Sequence, residues 1–266
     1  MSAKITVKKL RKMKQEGDKI AMLTAYDASF AAILDQQAID IILVGDSLGM
    51  VMQGHQSTVP VTMDDMVYHT KIVSPQCKRA LVLGDLPFMS CTSPKQAIKN
   101  ATRLMQQGGA HMVKMEGGAA QVENVRQLTR HGVPVCAHLG LQPQSVHKLG
   151  GYFVQGREQK VADKILEDAL LLQDAGADMV LMECVPIALA QKVTQAVEVP
   201  TIGIGAGRNC DGQVLVLQDM LGISKKAPSF SQDFLTGQPN GIAGAITNFV
   251  NSVKAQTFPS DQQCFT

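Results

Sequence analysis

Short apolar runs alternate with longer amphipathic segments along most of the chain. The runs are apolar throughout rather than at every second position, which is typical of parallel strands covered on both faces. We therefore predict eight strands, at Ile20–Tyr26, Ile39–Gly45, Ala80–Leu86, Ala110–Met115, Val133–Leu139, Ala177–Met182, Val199–Ile204 and Val214–Gln218.

The segments between these runs repeat apolar residues with the period of a helix. Several end directly before a glycine, the residue that most readily adopts the left-handed conformation after a helix. The predicted helices are Ser29–Ala38, Met63–Val73, Pro94–Gln107, Gln121–His131, Glu158–Ala175 and Ile187–Val197.

About eight strands with intervening helices favour an α/β fold of the (β/α)8 TIM barrel class over an open doubly wound sheet. The first strand–helix turn, Tyr26–Ser29, also lacks the glycine pattern of a dinucleotide-binding fold. Between Ile204 and Val214 there is room only for a loop. We expect one barrel domain over residues 1–266.

The two ends of the chain differ from this pattern. Residues 1–18 predict an extra N-terminal helix that caps the bottom of the barrel, and residues 257–266 predict a polar, poorly ordered tail.

Composition excludes several function classes. The 266 residues are 45% hydrophobic and carry a formal net charge of only +2, which does not suit a disordered chain, a nucleic-acid-binding protein or a membrane-surface protein. No apolar stretch approaches the roughly 20 residues of a membrane span. The six cysteines form no C-x-x-C pair, as expected of reduced thiols. We expect a cytoplasmic protein that binds neither nucleic acid nor membrane.

Charged residues are concentrated where the predicted strands end. Carboxyl ends of parallel barrel strands face a common mouth, so these side chains should meet there. Crowded buried carboxylates are costly unless a cation neutralises them or they keep protons, and oxygen ligands favour a hard ion such as Mg²⁺. The residues at successive strand ends are Asp27, Asp46 with Ser47, Asp85, Lys114 with Glu116, His138 and Glu183.

Each residue also has a structural interpretation. Asp27 is favoured as the N-cap of the next helix. Lys114 and Glu116 lie on one face of a strand and could form a simple ion pair instead of binding a substrate carboxylate and a metal. His138 could be a core histidine bonded to the backbone, although a substrate hydrogen bond is favoured. The glycine run 202–207 could cradle a phosphate or simply permit tight turning.

Local motifs over residues 5 to 260 resemble the ketopantoate hydroxymethyltransferase family. Those that carry the resemblance include Val44–Met50, Gln53–His55, Thr58–Thr62, Asp85–Met89, Val113–Gly118, His138–Leu141, Gly150–Tyr152, Val154–Arg157, Glu183–Pro186 and Ile202–Gly207. Phe153 departs from the family, which often has a basic residue at this position.

The resemblance implies a barrel of the phosphoenolpyruvate/pyruvate type, a homo-oligomer that is commonly a decamer, and dependence on Mg²⁺. The implied reaction transfers a hydroxymethyl group from 5,10-methylenetetrahydrofolate to 3-methyl-2-oxobutanoate, which gives 2-dehydropantoate for pantothenate biosynthesis. It also assigns roles to residues. The metal site would be Asp46, Asp85 and Glu116; the substrate contacts Asp46, Ser47, Asp85, Lys114 and His138; and the catalytic proton acceptor Glu183.

Two other functions remain open from the residues. A metal-dependent 2-oxo acid lyase or aldolase could use the same enolate on the same barrel, but it would need no folate. A non-catalytic metabolite-binding barrel would be expected to lack the base or the metal-binding acids.

Overall fold

Eight parallel strands close into a barrel in sequence order, with the last strand hydrogen-bonded to the first. The computed structural model describes residues 3–266. The strands are β1 (Ile20–Thr24), β2 (Ile41–Val44), β3 (Leu81–Asp85), β4 (Met112–Glu116), β5 (Val135–Gly140), β6 (Met179–Glu183), β7 (Thr201–Ile204) and β8 (Gly212–Leu215). All eight correspond to predicted strands, and the predicted barrel class is confirmed.

Helices surround the barrel and connect its strands. They are α1 (Val7–Glu16), α2 (Ala28–Gln36), α3 (Leu48–Val51), α4 (Met63–Val73), α5 (Pro94–Thr102), α6 (Val122–Arg130), α7 (Val146–Leu149), α8 (Gln159–Asp174), α9 (Ile187–Ala196), α10 (Leu217–Met220) and α11 (Gly241–Lys254). None of the helices within residues 3–266 is long and apolar enough to cross a membrane.

Two structural details differ from the expected helices and strands. The predicted helix Pro94–Gln107 is α-helical to Thr102 and then π-helical over Arg103–Gln107. The last strand ends at Leu215, so Gln218 lies in α10 and not at a strand end.

Helix α11 was not expected from the sequence. Its buried face includes Ile246 and Phe249, which join the core between the barrel and the outer helices. The segment begins Gly-Ile-Ala-Gly, and its helix is stabilised by the apolar face that it buries rather than by a strong start signal.

The N-terminal helix covers the end of the barrel where the strands begin. Leu10 and Met13 of α1 pack with Ile20 and other inward-facing strand residues. Arg11 binds Asp178 at 2.8 Å, directly before β6, and Lys14 binds an aspartate directly before β8. Residues 1–2 of the predicted capping segment lie outside the described residues.

The last ten residues, predicted as a polar, poorly ordered tail, make aromatic contacts with the folded domain. Phe258 is buried against Phe234 and Phe249, and Phe265 packs edge-on against Phe230 at the mouth of the barrel. The aromatic side chains of this otherwise polar segment explain the difference, because each buries apolar surface against the folded domain.

Candidate active site

Inward-facing positions of the strands change from apolar to polar along the barrel axis. Strand side chains alternate between the inside and the helix-facing side, so Leu81 and Leu83 place Asp85 inside, and Met112 places Lys114 and Glu116 inside. The same alternation places His138 after Cys136 and Glu183 after Leu181. The polar residues occupy the carboxyl ends, so they form a polar floor beneath the mouth.

Lys114 is the centre of this floor. Its Nζ atom lies 2.7 Å from Asp85 Oδ2, 3.7 Å from Glu116 Oε1 and 3.3 Å from His138 Nδ1. Burial alone would lower the pKa of Lys114, but the charges of Asp85, Glu116 and Asp46 outweigh burial and raise it. The lysine is therefore a fixed cation, and its shortest ion pair is with Asp85 rather than with Glu116.

His138 connects two carboxylates of the floor. Its Nδ1 atom lies 3.4 Å from Glu116 Oε1, and its Nε2 atom lies 3.3 Å from Glu183 Oε2. Burial and the charge of Lys114 oppose protonation, yet the contacts with Glu116 and Glu183 raise the pKa of His138 to about 9. The ring nitrogens of His138 thus contact charged side chains. The alternative interpretation, a core histidine bonded to the backbone, does not describe these contacts.

The negatively charged form of Asp46 is strongly disfavoured in this site. It is 4% exposed, and burial together with the charges of Asp85 and Glu116 raises its pKa well above the ordinary value. Burial also raises the pKa of Asp85, although the charge of Lys114 counteracts it. Asp46, Asp85 and Glu116 are thus buried close to one another, and the raised pKa values of Asp46 and Asp85 show that negative charge on both at once is disfavoured.

Gln144 bridges this acidic group, and no sequence signal marked it beyond its place after β5. Its Nε2 donates hydrogen bonds to Asp46 Oδ2 at 2.8 Å and to the Leu86 carbonyl at 3.0 Å. Its backbone N–H donates to Glu116 Oε2 at 3.1 Å. One buried amide residue thereby joins segments that follow β2, β3 and β5 to the end of β4.

Ser47 is held from the side of the first strand. The Tyr26 hydroxyl lies 2.8 Å from Ser47 Oγ, and Tyr26 is buried. The backbone N–H of Asp46 points to Asp85 Oδ2 at 3.4 Å, which places the Asp46–Ser47 turn beside β3.

The backbone around Glu183 is unusually constrained. Cys184, the next residue, has φ +47°, a left-handed conformation that is costly for a residue with a side chain. Gly140 of β5 has φ +86°, and a Cβ there would lie 2.3 Å from the Glu183 carbonyl oxygen. The Leu141 N–H donates to that same oxygen at 2.8 Å. These contacts fix the strand end that carries Glu183.

The donor set suits a hard divalent cation. Asp85 Oδ1 and Glu116 Oε1 are buried without a hydrogen-bond partner in the part of the chain that the structure describes, and a cation would relieve the repulsion at Asp46. Within residues 3–266 no three His, Cys, Asp or Glu side chains form a ready-made metal cage. Mg²⁺ completes its shell with water and substrate oxygens and so needs no closed cage, and the carboxylates of Asp46, Asp85 and Glu116 fit it.

A cavity of 1310 Å³ opens above the floor. The six residues predicted for substrate binding and catalysis all line it: Asp46, Ser47, Asp85, Lys114, His138 and Glu183. Glu116, predicted as a metal ligand, lines it as well. The structure therefore brings the whole predicted set into one cavity, while their chemical roles stay predictions.

Other strand-end features have structural explanations. The Asp27 side chain accepts hydrogen bonds from the backbone N–H groups of Ser29 and Phe30, which confirms it as the N-cap of α2. Gly205 and Gly207 have positive φ angles, and a Cβ at Gly205 would contact Phe230 and the end of the chain. Tight turning and close packing therefore explain this part of the glycine run. All six cysteines are free thiols.

Sequence comparison relates this chain to known enzymes. Residues 4–261 match the sequence profile of ketopantoate hydroxymethyltransferase. The chain belongs to the ketopantoate hydroxymethyltransferase family. A 3-methyl-2-oxobutanoate hydroxymethyltransferase of Nitrosococcus oceani is 58% identical over 257 residues, covering 96% of this chain and 97% of the relative. One of Methylococcus capsulatus is 54% identical, with 100% and 98% covered. Membership of this hydroxymethyltransferase family makes the protein an enzyme.

Solved structures show the same barrel in other enzymes. A phosphonopyruvate hydrolase in complex with oxalate and Mg²⁺ aligns with a TM-score of 0.61 at 11% identity, covering 79% of this chain and 80% of the other. A 2,3-dimethylmalate lyase of the PEP mutase/isocitrate lyase superfamily aligns with a TM-score of 0.57 at 14% identity, covering 81% of each chain. At this level of sequence identity, the likeness shows that the closed barrel fold is shared.

Proposed function

We propose that the enzyme transfers a hydroxymethyl group from 5,10-methylenetetrahydrofolate to 3-methyl-2-oxobutanoate and gives 2-dehydropantoate, a step of pantothenate biosynthesis. The observation that carries this proposal is the floor centred on Lys114, where one fixed cation and several carboxylates meet beneath a large cavity in a chain of this family. The overall reaction consumes one water, which supplies the new hydroxyl group.

Asp46, Asp85 and Glu116 are the residues that would hold Mg²⁺. When bound, the ion would withdraw electron density from the oxo acid and stabilise the enolate. Asp85 Oδ1 and Glu116 Oε1, which accept no hydrogen bond within residues 3–266, and the repulsion of Asp46 by the two neighbouring acids support this assignment.

Lys114 and Ser47 bind and orient the oxo acid. The Lys114 ammonium supplies a positive charge that attracts the substrate carboxylate, and the Ser47 hydroxyl offers a hydrogen bond held in place by Tyr26. Fixing the carboxylate determines which C–H bond is presented to the base.

Glu183 removes the proton at C3 of the oxo acid. Its side chain is 16% exposed, more than the other carboxylates of the floor, so it can reach a ligand in the cavity. His138, within 3.3 Å of Glu183, orients the base and forms a further substrate contact. The enolate carbon then attacks the one-carbon unit of the folate, and the carbon–nitrogen bonds of that unit break to release tetrahydrofolate.

A turnover assay with 3-methyl-2-oxobutanoate tests the proposal. We expect product only when both methylenetetrahydrofolate and Mg²⁺ are present, and loss of turnover with EDTA that Mg²⁺ restores. Consumption of the oxo acid without the folate would instead indicate a lyase or aldolase. Exchange of the C3 hydrogen for deuterium, followed by proton NMR, isolates the proton-transfer step.

We also propose that the enzyme is a homo-oligomer, and a decamer as the family resemblance implies. The outer surface exposes large apolar side chains that a neighbouring subunit could cover, including Tyr68 on α4 and Leu170 and Leu171 on α8. Light scattering after size-exclusion chromatography gives the subunit number. A monomer would contradict this part of the proposal.

A further inference from the structure

The cavity is larger than the oxo acid requires. Its volume of 1310 Å³ exceeds the roughly 300–1,000 Å³ of sites that hold drug-sized ligands. The floor is acidic, whereas the rim includes Lys225 and Lys226 on the loop that follows α10. The rim therefore offers positive charge at a distance from the metal and oxo acid site on the floor.

Residues 216–230 run from the floor to the rim, and their inner end offers hydrogen-bond acceptors. Asp219 lines the cavity, is 8% exposed, and forms no ion pair with a lysine or arginine in the described residues. Gln218 Oε1 and Thr58 Oγ1, from two other cavity-lining residues, are buried without a hydrogen-bond partner there. Buried acceptors of this kind are costly unless a ligand donates to them.

Asp219 lies on the side of the polar floor. Burial raises the pKa of Tyr26, and the charges of Asp219 and Asp46 act in the same direction. The Tyr26 hydroxyl also forms the hydrogen bond with Ser47 Oγ. The Leu217 N–H donates to Thr24 Oγ1 at the end of β1, at 2.9 Å, so the segment that carries Asp219 starts beside the floor.

The outer end of the segment carries unpaired cations. Lys225 and Lys226 are exposed, and neither forms an ion pair within residues 3–266. The Ile223 and Ser224 N–H groups both donate to the Gln218 carbonyl, at 2.9 and 3.3 Å, so a turn connects the acceptor end to the lysines.

We propose that residues 216–230 bind the one-carbon donor, with Gln218 and Asp219 contacting the N–H groups of its bicyclic ring and Lys225 and Lys226 contacting its glutamate carboxylates. The inference rests on the proposed function. The donor's chemistry sets the direction: its transferable carbon is attached to the ring system and must reach the floor, so its glutamate end faces the rim. Aromatic side chains at Tyr152 and Phe230 line the same cavity and can pack against the rings.

The donor site predicts a preference for polyglutamylated folate. A donor with three glutamates carries more carboxylates to the lysine pair than a donor with one. We expect the KM of the triglutamate donor to be about fivefold to tenfold lower, the size expected of two exposed charge contacts.

The test measures donor KM for both forms in the wild-type enzyme, in Lys225→Gln/Lys226→Gln and in Asp219→Asn. The lysine variant should lose the preference for the triglutamate donor, and Asp219→Asn should raise the KM of both donors equally, because both share the ring. In each variant the KM of the oxo acid should stay within about twofold of wild type, the split that separates donor binding from a general structural defect. The matched control is Lys8→Gln/Lys9→Gln, an adjacent pair on α1 at the opposite end of the barrel, which should keep the preference.

Two outcomes would overturn the inference. One is an undiminished triglutamate preference in the lysine variant, and the other is an unchanged donor KM in Asp219→Asn. Either result alongside normal folate-dependent turnover would leave the proposed function intact. A wild-type enzyme that turns over no oxo acid with any folate would instead contradict both the donor site and the proposed function.

Discussion

Gln144 donates a hydrogen bond of 2.8 Å to Asp46, although 98 positions separate the two residues in the sequence. The same amide also donates to the Leu86 carbonyl, so its rotamer is fixed from two directions. Asp46 is therefore held in place by a neutral donor, while its charge is opposed by two nearby acids.

Replacing Gln144 with alanine should weaken catalysis more than folding. We expect the Asp46 carboxylate to lose its orientation, and C3 deuterium exchange to fall by about 10- to 100-fold, with a loss of about 1–3 kcal/mol in the free energy of unfolding. Proton NMR and thermal melting measure the two effects. Gln142→Ala, on the same loop, is the control. Equal loss of exchange in both variants would contradict a specific role for Gln144.

Glu183→Gln should separate binding from proton transfer. The amide keeps the size of the side chain but cannot accept the C3 proton, so exchange should fall at least about 100-fold while Mg²⁺-dependent binding of the oxo acid is retained. Calorimetry measures binding and NMR measures exchange. Full exchange activity in this variant would remove Glu183 from its proposed role.

Asp46→Asn and Asp85→Asn should shift stability in opposite directions when Mg²⁺ is removed with EDTA. The Asp46→Asn change would relieve repulsion among buried acids and raise the melting temperature, whereas the Asp85→Asn change would leave the Lys114 ammonium without its 2.7 Å charged partner. Breaking a buried ion pair costs about 3–5 kcal/mol. Thermal melting in EDTA distinguishes the two variants, and a shared direction of change would refute the assigned electrostatics.

The same two variants test the metal site. Each removes one anionic oxygen donor, so calorimetry should show weaker Mg²⁺-dependent binding of the oxo acid in both. Asp64→Asn, on the exposed start of α4, provides a control that should bind normally. Unchanged affinity in Asp85→Asn would count against Asp85 as a ligand.

Gly140→Ala should impair the enzyme through the backbone of Glu183. A methyl group at this position would lie 2.3 Å from the Glu183 carbonyl, so β5 or β6 must shift. Gly132 has a similar positive φ of +81° with open space around it, and Gly132→Ala therefore isolates the conformational cost alone. We expect Gly140→Ala to melt lower and exchange more slowly than Gly132→Ala. Equal behaviour of the two variants would exclude the contact as a cause.

Much of the site was predictable because it follows from strand periodicity. Once β3, β4 and β6 are recognised, the alternation of side chains places Asp85, Lys114 and Glu183 inside the barrel at the same end. Gln144 was not predictable in this way, because its contacts depend on the path of a loop between strand ends. Phe265 was missed for a similar reason: its packing partner, Phe230, comes from another irregular segment.

Helix α1 has a consequence for the order of events during turnover. It covers the lower end of the barrel, so both ligands must arrive through the upper opening. A folate seated along residues 216–230 would then stand between the solvent and the oxo acid. Steady-state kinetics should accordingly be compulsory-ordered, with the smaller ligand first to enter and the branched hydroxy-acid product last to depart.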